Sequence, residues 1–253
     1  MSLKYYIDLI LILTKKDTQI RYKNSALGYL WSIANPLCFA LIYFIAFKII
    51  MRIRIENYTI FLLSTLFSWQ WINNSINNNL FIYVANASII KKMKFPKYTL
   101  PLSSILMECF HFIITIPVII LFLIIYHIYP SYEWLYGIPL LLLIQILMLF
   151  SLSLIFSSLN LFFRDVERFV QLGIMMLFYA TPILYSESMI PKKYHWILDI
   201  NPFSYLIMNW RELFMKGTFN FGYLFYSFIF SSVFLVLGIW VYNKTKYRFA
   251  EVL

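Results

Sequence analysis

The sequence predicts an all-α, polytopic membrane protein built as one transmembrane domain over residues 1–253, and three observations carry that prediction. Hydrophobic residues make up 62% of the chain and charged residues 13%, with mean hydropathy +0.75, a balance outside that of soluble domains. The apolar residues come in blocks near or above the roughly 20 residues that an α-helix needs to cross a bilayer. Lysine and arginine flank those blocks instead of lining a groove, so the net charge of +10 is a signal of membrane orientation, and nucleic acid is not an expected partner.

The elements follow in order. Residues 2–22 carry apolar side chains at Leu3, Tyr6, Ile7, Ile10 and Leu13 among Lys4, Asp8, Lys15, Lys16 and Asp17. That is too charged to span, and it reads as an amphipathic helix in the membrane interface, the alternative being a helix packed on the protein. Six spans are expected: about Tyr29–Met51, Ile60–Val84, Leu102–Tyr126, Leu135–Phe163, Phe169–Tyr185 and Tyr223–Tyr242. The second is unusual, because WINNSINNN (Trp71 to Asn79) contains five asparagines in about two and a half helical turns. Amides are costly against lipid, so this stretch should face protein, water or a pore.

With the N-terminus in the cytoplasm, the inner side holds Lys4, Lys15, Lys16, Arg21, Lys23, Lys91, Lys92, Lys94, Lys97, Arg164, Arg168, Lys244, Lys246 and Arg248. The outer side holds Lys48, Arg52, Arg54, Lys192, Lys193, Arg211 and Lys216. Fourteen against seven places both termini inside. Residues 186–222 are too long for a tight turn and too apolar for a solvated loop. Asn201-Pro202 suits a helix start, with asparagine as cap and proline at the first helical position, and Gly217 suits a stop. Two short helices dipping into the outer leaflet fit this pattern; a conventional external cap is the alternative.

No catalytic constellation is visible. His111, His127 and His195 stand apart from one another and from Cys38 and Cys109, so metal-ligand spacing is lacking, and the two cysteines read as small apolar residues. The nearest match to a phosphate-binding loop, GTFNFG (Gly217 to Gly222), is followed by Tyr223-Leu224 where a lysine and a hydroxyl residue are required, so this chain does not bind ATP by that motif. Glu108 is the one good candidate for a carboxylate inside a span, with His111 one turn away on the same face. A structural hydrogen bond is the bland reading there and a proton path the sharp one. A membrane-embedded enzyme of lipid or glycan assembly is disfavoured because it usually needs a cluster of carboxylates, histidines or a metal motif.

Two inner segments and the aromatic residues remain. In NASIIKKMKFPKYTLP (Asn86 to Pro101) basic residues follow a short apolar stretch, and Phe95-Pro96 ends any helix. A short protruding helix could insert into a groove of a cytoplasmic partner; an ordinary positive-inside loop is the alternative. FFRDVERF places Asp165 and Glu167 beside Arg164 and Arg168 at the inner boundary. Aromatic residues make up 21% of the chain. Tyr43, Phe44, Phe47, Phe178 and Tyr179 lie deep within spans, where they pack helices together or line a path on which sugar rings slide.

Five segments then carry a resemblance. RYKNSALGYLWSIANPL at Arg21, KKMKFPKYTLPLSS at Lys91, LNLFFRDVERF at Leu159, TPILY at Thr181 and NPFSYLIMNWR at Asn201 resemble, in order and over essentially the whole chain, the permease subunits of ABC-2-type polysaccharide exporters. The likeness is closest to those that export O-antigen across the bacterial or archaeal inner membrane. The resemblance implies a homodimer of six-span, type V exporter-like subunits, with membrane lipid around it and two copies of a separate ABC subunit that binds ATP and magnesium; no cofactor is expected in this chain. It implies a lipid-linked polysaccharide on a diphosphate carrier as substrate. It places Arg21, Lys23, Leu27, Gly28 and Trp31 at the substrate entrance, with Arg21 and Lys23 as anion contacts, Leu27-Gly28 as a tight turn and Asn35-Pro36 as an irregular start to a pore-lining span. Headgroup anchoring is the plainer role for Arg21 and Lys23. Residues 86–98 become the coupling segment, with Ser88, Ile89, Lys91, Lys92, Phe95 and Pro96 facing the ATPase and Arg164 and Asp165 buttressing them. Permeases for teichoic acid, small lipids or drugs share the superfamily and are the nearest alternatives.

Overall fold

The computed structural model describes residues 3–23, 25, 27–52 and 55–253. Arg54 of the charge count, Ser2 of the first helix, and Asn24 and Ala26 of the Arg21 motif lie outside the described residues. Among the described residues the elements are all helical. α1 (Leu3–Tyr22) leads through a 3-10 turn at Gly28–Leu30 into α2 (Trp31–Tyr43), which continues as a π-helical stretch, Phe44–Ile50. α3 (Tyr58–Leu80), α4 (Ile82–Ala85) and α5 (Ala87–Lys92) follow, then the long α6 (Thr99–Ile125) and α7 (Trp134–Phe162). α8 (Val166–Ala180), α9 (Trp196–Ile200), α10 (Ser204–Arg211), α11 (Phe221–Thr245) and α12 (Phe249–Val252) complete the chain.

Four helical segments among the described residues are long and apolar enough to cross a membrane: Ile33–Ile50, Thr99–Ile125, Trp134–Phe162 and Phe221–Val252. The expectation of six is thus met at four positions. α3 has the length, at 23 residues, but its asparagines dilute its hydropathy. α8 has 15 residues, about 22 Å of helix, and stops at Ala180, because Thr181 is extended ahead of Pro182. Its predicted end at Tyr185 is five residues too late.

α3 is the central post. Seventeen of its residues are buried, and it packs against α6, α7 and α10, so the most polar of the predicted spans is sheltered from lipid by the others. α7 and α11 form the closest helix pair. A Cβ on Gly238 would lie 2.7 Å from the Ser151 carbonyl oxygen, and Ser151 Oγ donates to the Ser231 carbonyl at 3.3 Å. Small residues at a crossing let two backbones approach where lipid offers no hydrophobic drive to associate.

α10 lies deep in the structure. Ser204, Leu206, Ile207, Met208, Asn209 and Trp210 are buried, and Trp210 Nε1 donates at 2.7 Å to Gln145 Oε1, eleven residues inside α7. Gln145 also accepts from Ser68 Oγ at 3.0 Å and donates to the Ser68 carbonyl at 3.1 Å, so one satisfied amide binds α3, α7 and α10 together. The helix starts at Ser204 with Phe203 at its cap position, two residues past the predicted start at Pro202. Asn201 instead ties the turn before it, its Oδ1 accepting from the Phe203 N–H at 3.0 Å and its amide donating to Thr181 Oγ1 at 2.8 Å. Gly217 ends it with φ +66°, a conformation that favours glycine.

α1 packs along the first turns of α6. Leu13 is buried, Thr14 Oγ1 donates to the Ser103 carbonyl at 3.3 Å, and Lys16 donates to Asn86 at 3.0 Å. Its opposite face leaves Ile7, Leu11, Ile12 and Ile20 exposed. The same face exposes Lys4, Asp8, Lys15 and Gln19, so the helix has one side on the protein and a mixed charged and apolar side on its surroundings.

Candidate functional site

The pairing of α1 with α6 runs in parallel, Thr14 beside Ser103 and then Arg21 beside Glu108, so the last turn of α1 lifts Arg21 to a point nine residues into α6, about 14 Å along it. There Arg21 Nη1 donates to Glu108 Oε1 at 2.5 Å. Asn78 Nδ2 donates to the same oxygen at 2.8 Å, and Asn74 Nδ2 to Oε2 at 3.3 Å. Glu108 is 1% exposed, and a carboxylate is tolerated at such a place only with a countercharge and donors for its lone pairs. The asparagine stretch supplies two of those donors. Arg21, expected as an open anion contact, is thus already engaged by an internal carboxylate, and Glu108 has an arginine partner that sequence spacing could not show.

The pair forms one wall of a cavity of about 300 Å³, with Asn35, Gln70, Asn74 and His111 among its lining and Trp31 and Trp71 beside them. Of the residues expected at the entrance, Arg21 and Trp31 line this cavity. Gly28 makes the turn leading to it: φ is +48°, the Leu30 N–H donates to the Leu27 carbonyl at 3.0 Å, and Ser25 Oγ accepts from the Gly28 N–H at 3.1 Å. Lys23 and Leu27 are exposed and stand outside the lining. The irregular start of the span is this 3-10 turn; α2 runs on through Asn35-Pro36 without a break.

A second cavity, of about 250 Å³, lies beyond the first along α2, and Tyr43, Trp69, Gln171, Phe178 and Tyr179 line it with Asn73. Three of the five aromatic residues expected along the path therefore meet here. The Phe178 ring lies 5.7 Å from those of both Tyr43 and Trp69. Phe44 and Phe47 instead pack against the core and do not line this cavity, because the helix turns them toward α3 and its neighbours. Gln70 lines both cavities, so the two share a wall on α3.

At the edge expected to face the cytoplasm, α5 is a short helix whose Ile90 is buried while Lys91, Lys92, Met93 and Lys94 are exposed. Met93 is extended, and the chain re-enters helix at Thr99, past Phe95-Pro96, as expected. Ile89, Phe95 and Pro96 are half-buried, and Ser88 is exposed. Burial lowers the pKa of Lys97, whose ammonium donates to the Lys246 carbonyl at 2.9 Å. Arg164 lies in a groove with Phe81, Val84, Val252 and Leu253, next to this segment, and Asp165 is exposed at the α7–α8 turn. The tie at that turn is made by a residue the sequence reading passed over. Asn160 donates to the Leu80 carbonyl at 2.9 Å and accepts from the Glu167 N–H at 3.1 Å, joining the ends of α3, α7 and α8.

At the opposite edge, expected to be the outer one, Arg211, counted only as an outer charge in the sequence, holds the TPILY segment. Its Nη2 donates to the Pro182 carbonyl and to that of Ile183 at 3.2 Å, and its guanidinium lies 3.8 Å from the Phe61 ring centre. Tyr58 OH donates to the Leu184 carbonyl at 3.0 Å, so three consecutive carbonyls are claimed by neighbouring helices.

Comparison with known proteins places this architecture. The ABC-2 type transporter family matches residues 8–215. Two curated proteins of Klebsiella pneumoniae, each called O-antigen export system permease protein RfbA, are 52% and 53% identical over 252 residues, covering 100% of this chain and 97% of their own length. A protein of the same designation from Myxococcus xanthus is 28% identical over 217 residues, 85% of this chain and 83% of its own.

Proposed function

The chain belongs to the ABC-2 type transporter family, and on that premise we propose that it is the membrane subunit of an ATP-driven exporter of an O-antigen-like polysaccharide carried on a polyprenyl diphosphate. The observation that carries the reading is the pair of cavities that share a wall at Gln70. The inner one holds charge and amides, the outer one aromatic faces with amides. A diphosphate needs the first, through a guanidinium that bonds phosphate oxygens in a planar fork. A glycan suits the second, since aromatic faces pack on sugar C–H faces while amides exchange hydroxyl hydrogen bonds.

The rest of the assembly follows from this reading. This chain has no nucleotide motif, so ATP and magnesium belong to a separate ABC subunit, two copies of which serve a homodimer. The exposed apolar faces of α2 (Leu41, Ile42, Ile45) and α8 (Phe169, Leu172, Met176) flank the outer cavity and suit a second copy or lipid. α3 and α8 complete six crossings, α3 shielded by its neighbours and α8 extended outward by the TPILY segment. The depth of Trp210 supports α10 as a re-entrant helix, and the outer face of α1, charged and apolar side by side, supports an interfacial seat. Ser88, Ile89, Lys91, Lys92, Phe95 and Pro96 meet the ATPase, with Arg164 and Asp165 behind them and both termini in the cytoplasm of a bacterial inner membrane.

Affinity purification of the tagged chain from its native host in mild detergent tests this directly. A stoichiometric ABC ATPase is the expected companion. Its absence from repeated preparations of folded protein would overturn the two-component reading.

A further inference from the structure

A negative charge beside the group that receives an anion is a puzzle. We infer that Glu108 is the resident anion of the Arg21 site, an internal stand-in that holds the guanidinium until a lipid-borne diphosphate displaces it. The inference rests on reading the inner cavity as the substrate entrance, and it adds what the substrate must displace there.

The two partners are held unequally. Glu108 is buried, at 1% exposure, whereas the Arg21 side chain is 31% exposed and lines the cavity. The carboxylate is fixed by Asn74 and Asn78, both on α3 and both independent of the arginine. When Arg21 turns to a phosphate, Glu108 keeps two amide donors, so the exchange does not strand a bare buried charge. The arginine for its part passes from one anion to another, and a guanidinium with five N–H donors does so without an unpaired intermediate. Affinity for the diphosphate is lowered by this competition and by repulsion between the two anions, which favours release once the anion has been received.

The exchange also has a mechanical reading. Arg21 lies in the last turn of α1, and the Gly28 turn follows it into α2. Removing its bond to Glu108 detaches that end of α1 from α6, so occupancy of the anion site is passed to the turn that opens α2.

The test uses the detergent-solubilised full chain, with farnesyl diphosphate and inorganic pyrophosphate as separate probes and calorimetry as the readout. Glu108→Gln is expected to bind both probes about tenfold more tightly than the unaltered chain, and Arg21→Gln to lose that gain when added to it. Asn78→Ala, which loosens the carboxylate without removing its charge, is expected to shift affinity by less than Glu108→Gln. Equal affinity in Glu108→Gln and the unaltered chain, at matched melting temperatures, overturns the exchange and leaves the entrance reading intact. A gain for farnesyl diphosphate alone also overturns it, because the effect would then lie with the lipid tail. If Glu108→Gln does not fold, Asn78→Ala decides, and an affinity it leaves unchanged counts against the exchange. No binding of either probe by any variant removes both the exchange and the entrance assignment; the export reading is judged separately by the ATPase that co-purifies.

Discussion

Arg21 and Arg211 sit at opposite edges of the same bundle and are held by opposite means. Arg211 is held in direct contact by neutral groups, two carbonyls and the face of Phe61, with the Glu187 and Glu212 carboxylates near enough to act on its charge but making no ion pair with it among the described residues. Arg21 is paired with a carboxylate beside a cavity lined by amides, where another anion can take the carboxylate's place. The difference teaches that a charge at membrane depth is structural when dipoles satisfy it and exchangeable when a countercharge does. The first arrangement closes the outer edge; the second leaves the inner edge responsive.

Substitutions separate the two arrangements most sharply at the outer edge. Arg211→Met frees the Pro182 and Ile183 carbonyls and removes the cation from Phe61, so a loss of about 2–4 kcal/mol is expected, read as a large fall in melting temperature in detergent. A melting temperature unchanged from the parent would show that the outer clamp is incidental. Trp210→Phe keeps the ring packing against Phe112 and Phe214 but withdraws the N–H from Gln145, at a cost of about 1–2 kcal/mol. Gln145→Leu in the same background should then cost less than it does alone, since the amide has already lost a partner.

At the inner edge the effects are read in export as well as in stability. Gly28→Ala meets no atom within 4 Å, so its cost is conformational alone, about 1–2 kcal/mol, and Gly28→Asn should recover part of it; full recovery by valine would refute the left-handed turn. Arg21→Gln still offers Glu108 an N–H but withdraws the countercharge of a buried carboxylate, so a loss of about 3 kcal/mol is expected, whereas Arg21→Lys, which keeps the charge, is expected to melt close to the parent. With Arg21→Gln, surface polysaccharide measured in cells should fall at least about tenfold, on the scale of one charge-assisted contact. Normal surface glycan at normal protein levels would strike Arg21 from the entrance.

Much of this layout can be read from residues alone, because apolar length and basic flanks report on the membrane directly. The helices around 99–125, 134–162 and 221–245 fall within a few residues of their predicted limits, and Asn201-Pro202 and Gly217 flank the α10 segment within about two residues of where local backbone chemistry puts them. Pairings across the bundle were not legible. Arg21 and Glu108 are 87 residues apart, and no periodicity links them. The asparagines at 74 and 78 stood out as too polar for lipid, yet their common target on α6 appears only in three dimensions. Gln145 and Asn160 gave no warning at all, since an amide in an apolar run looks the same whether it is orphaned or shared by three helices.

The fit of Gly238 against Ser151 has a consequence for how the protein is made. The two strands of that contact are 80 residues apart at Ser151 and Ser231, and a ribosome adding 5–20 residues each second needs roughly 4–16 s to bridge them. Through that interval α7 is complete while its seam of small residues has no partner, and its shelter is whatever the insertion machinery or the surrounding lipid provides. The last long helix is thus the piece that ends the vulnerable phase of biogenesis. A chain cut short before Phe221 never reaches that point, and cells should clear it as unfinished membrane protein instead of storing it as an inactive one.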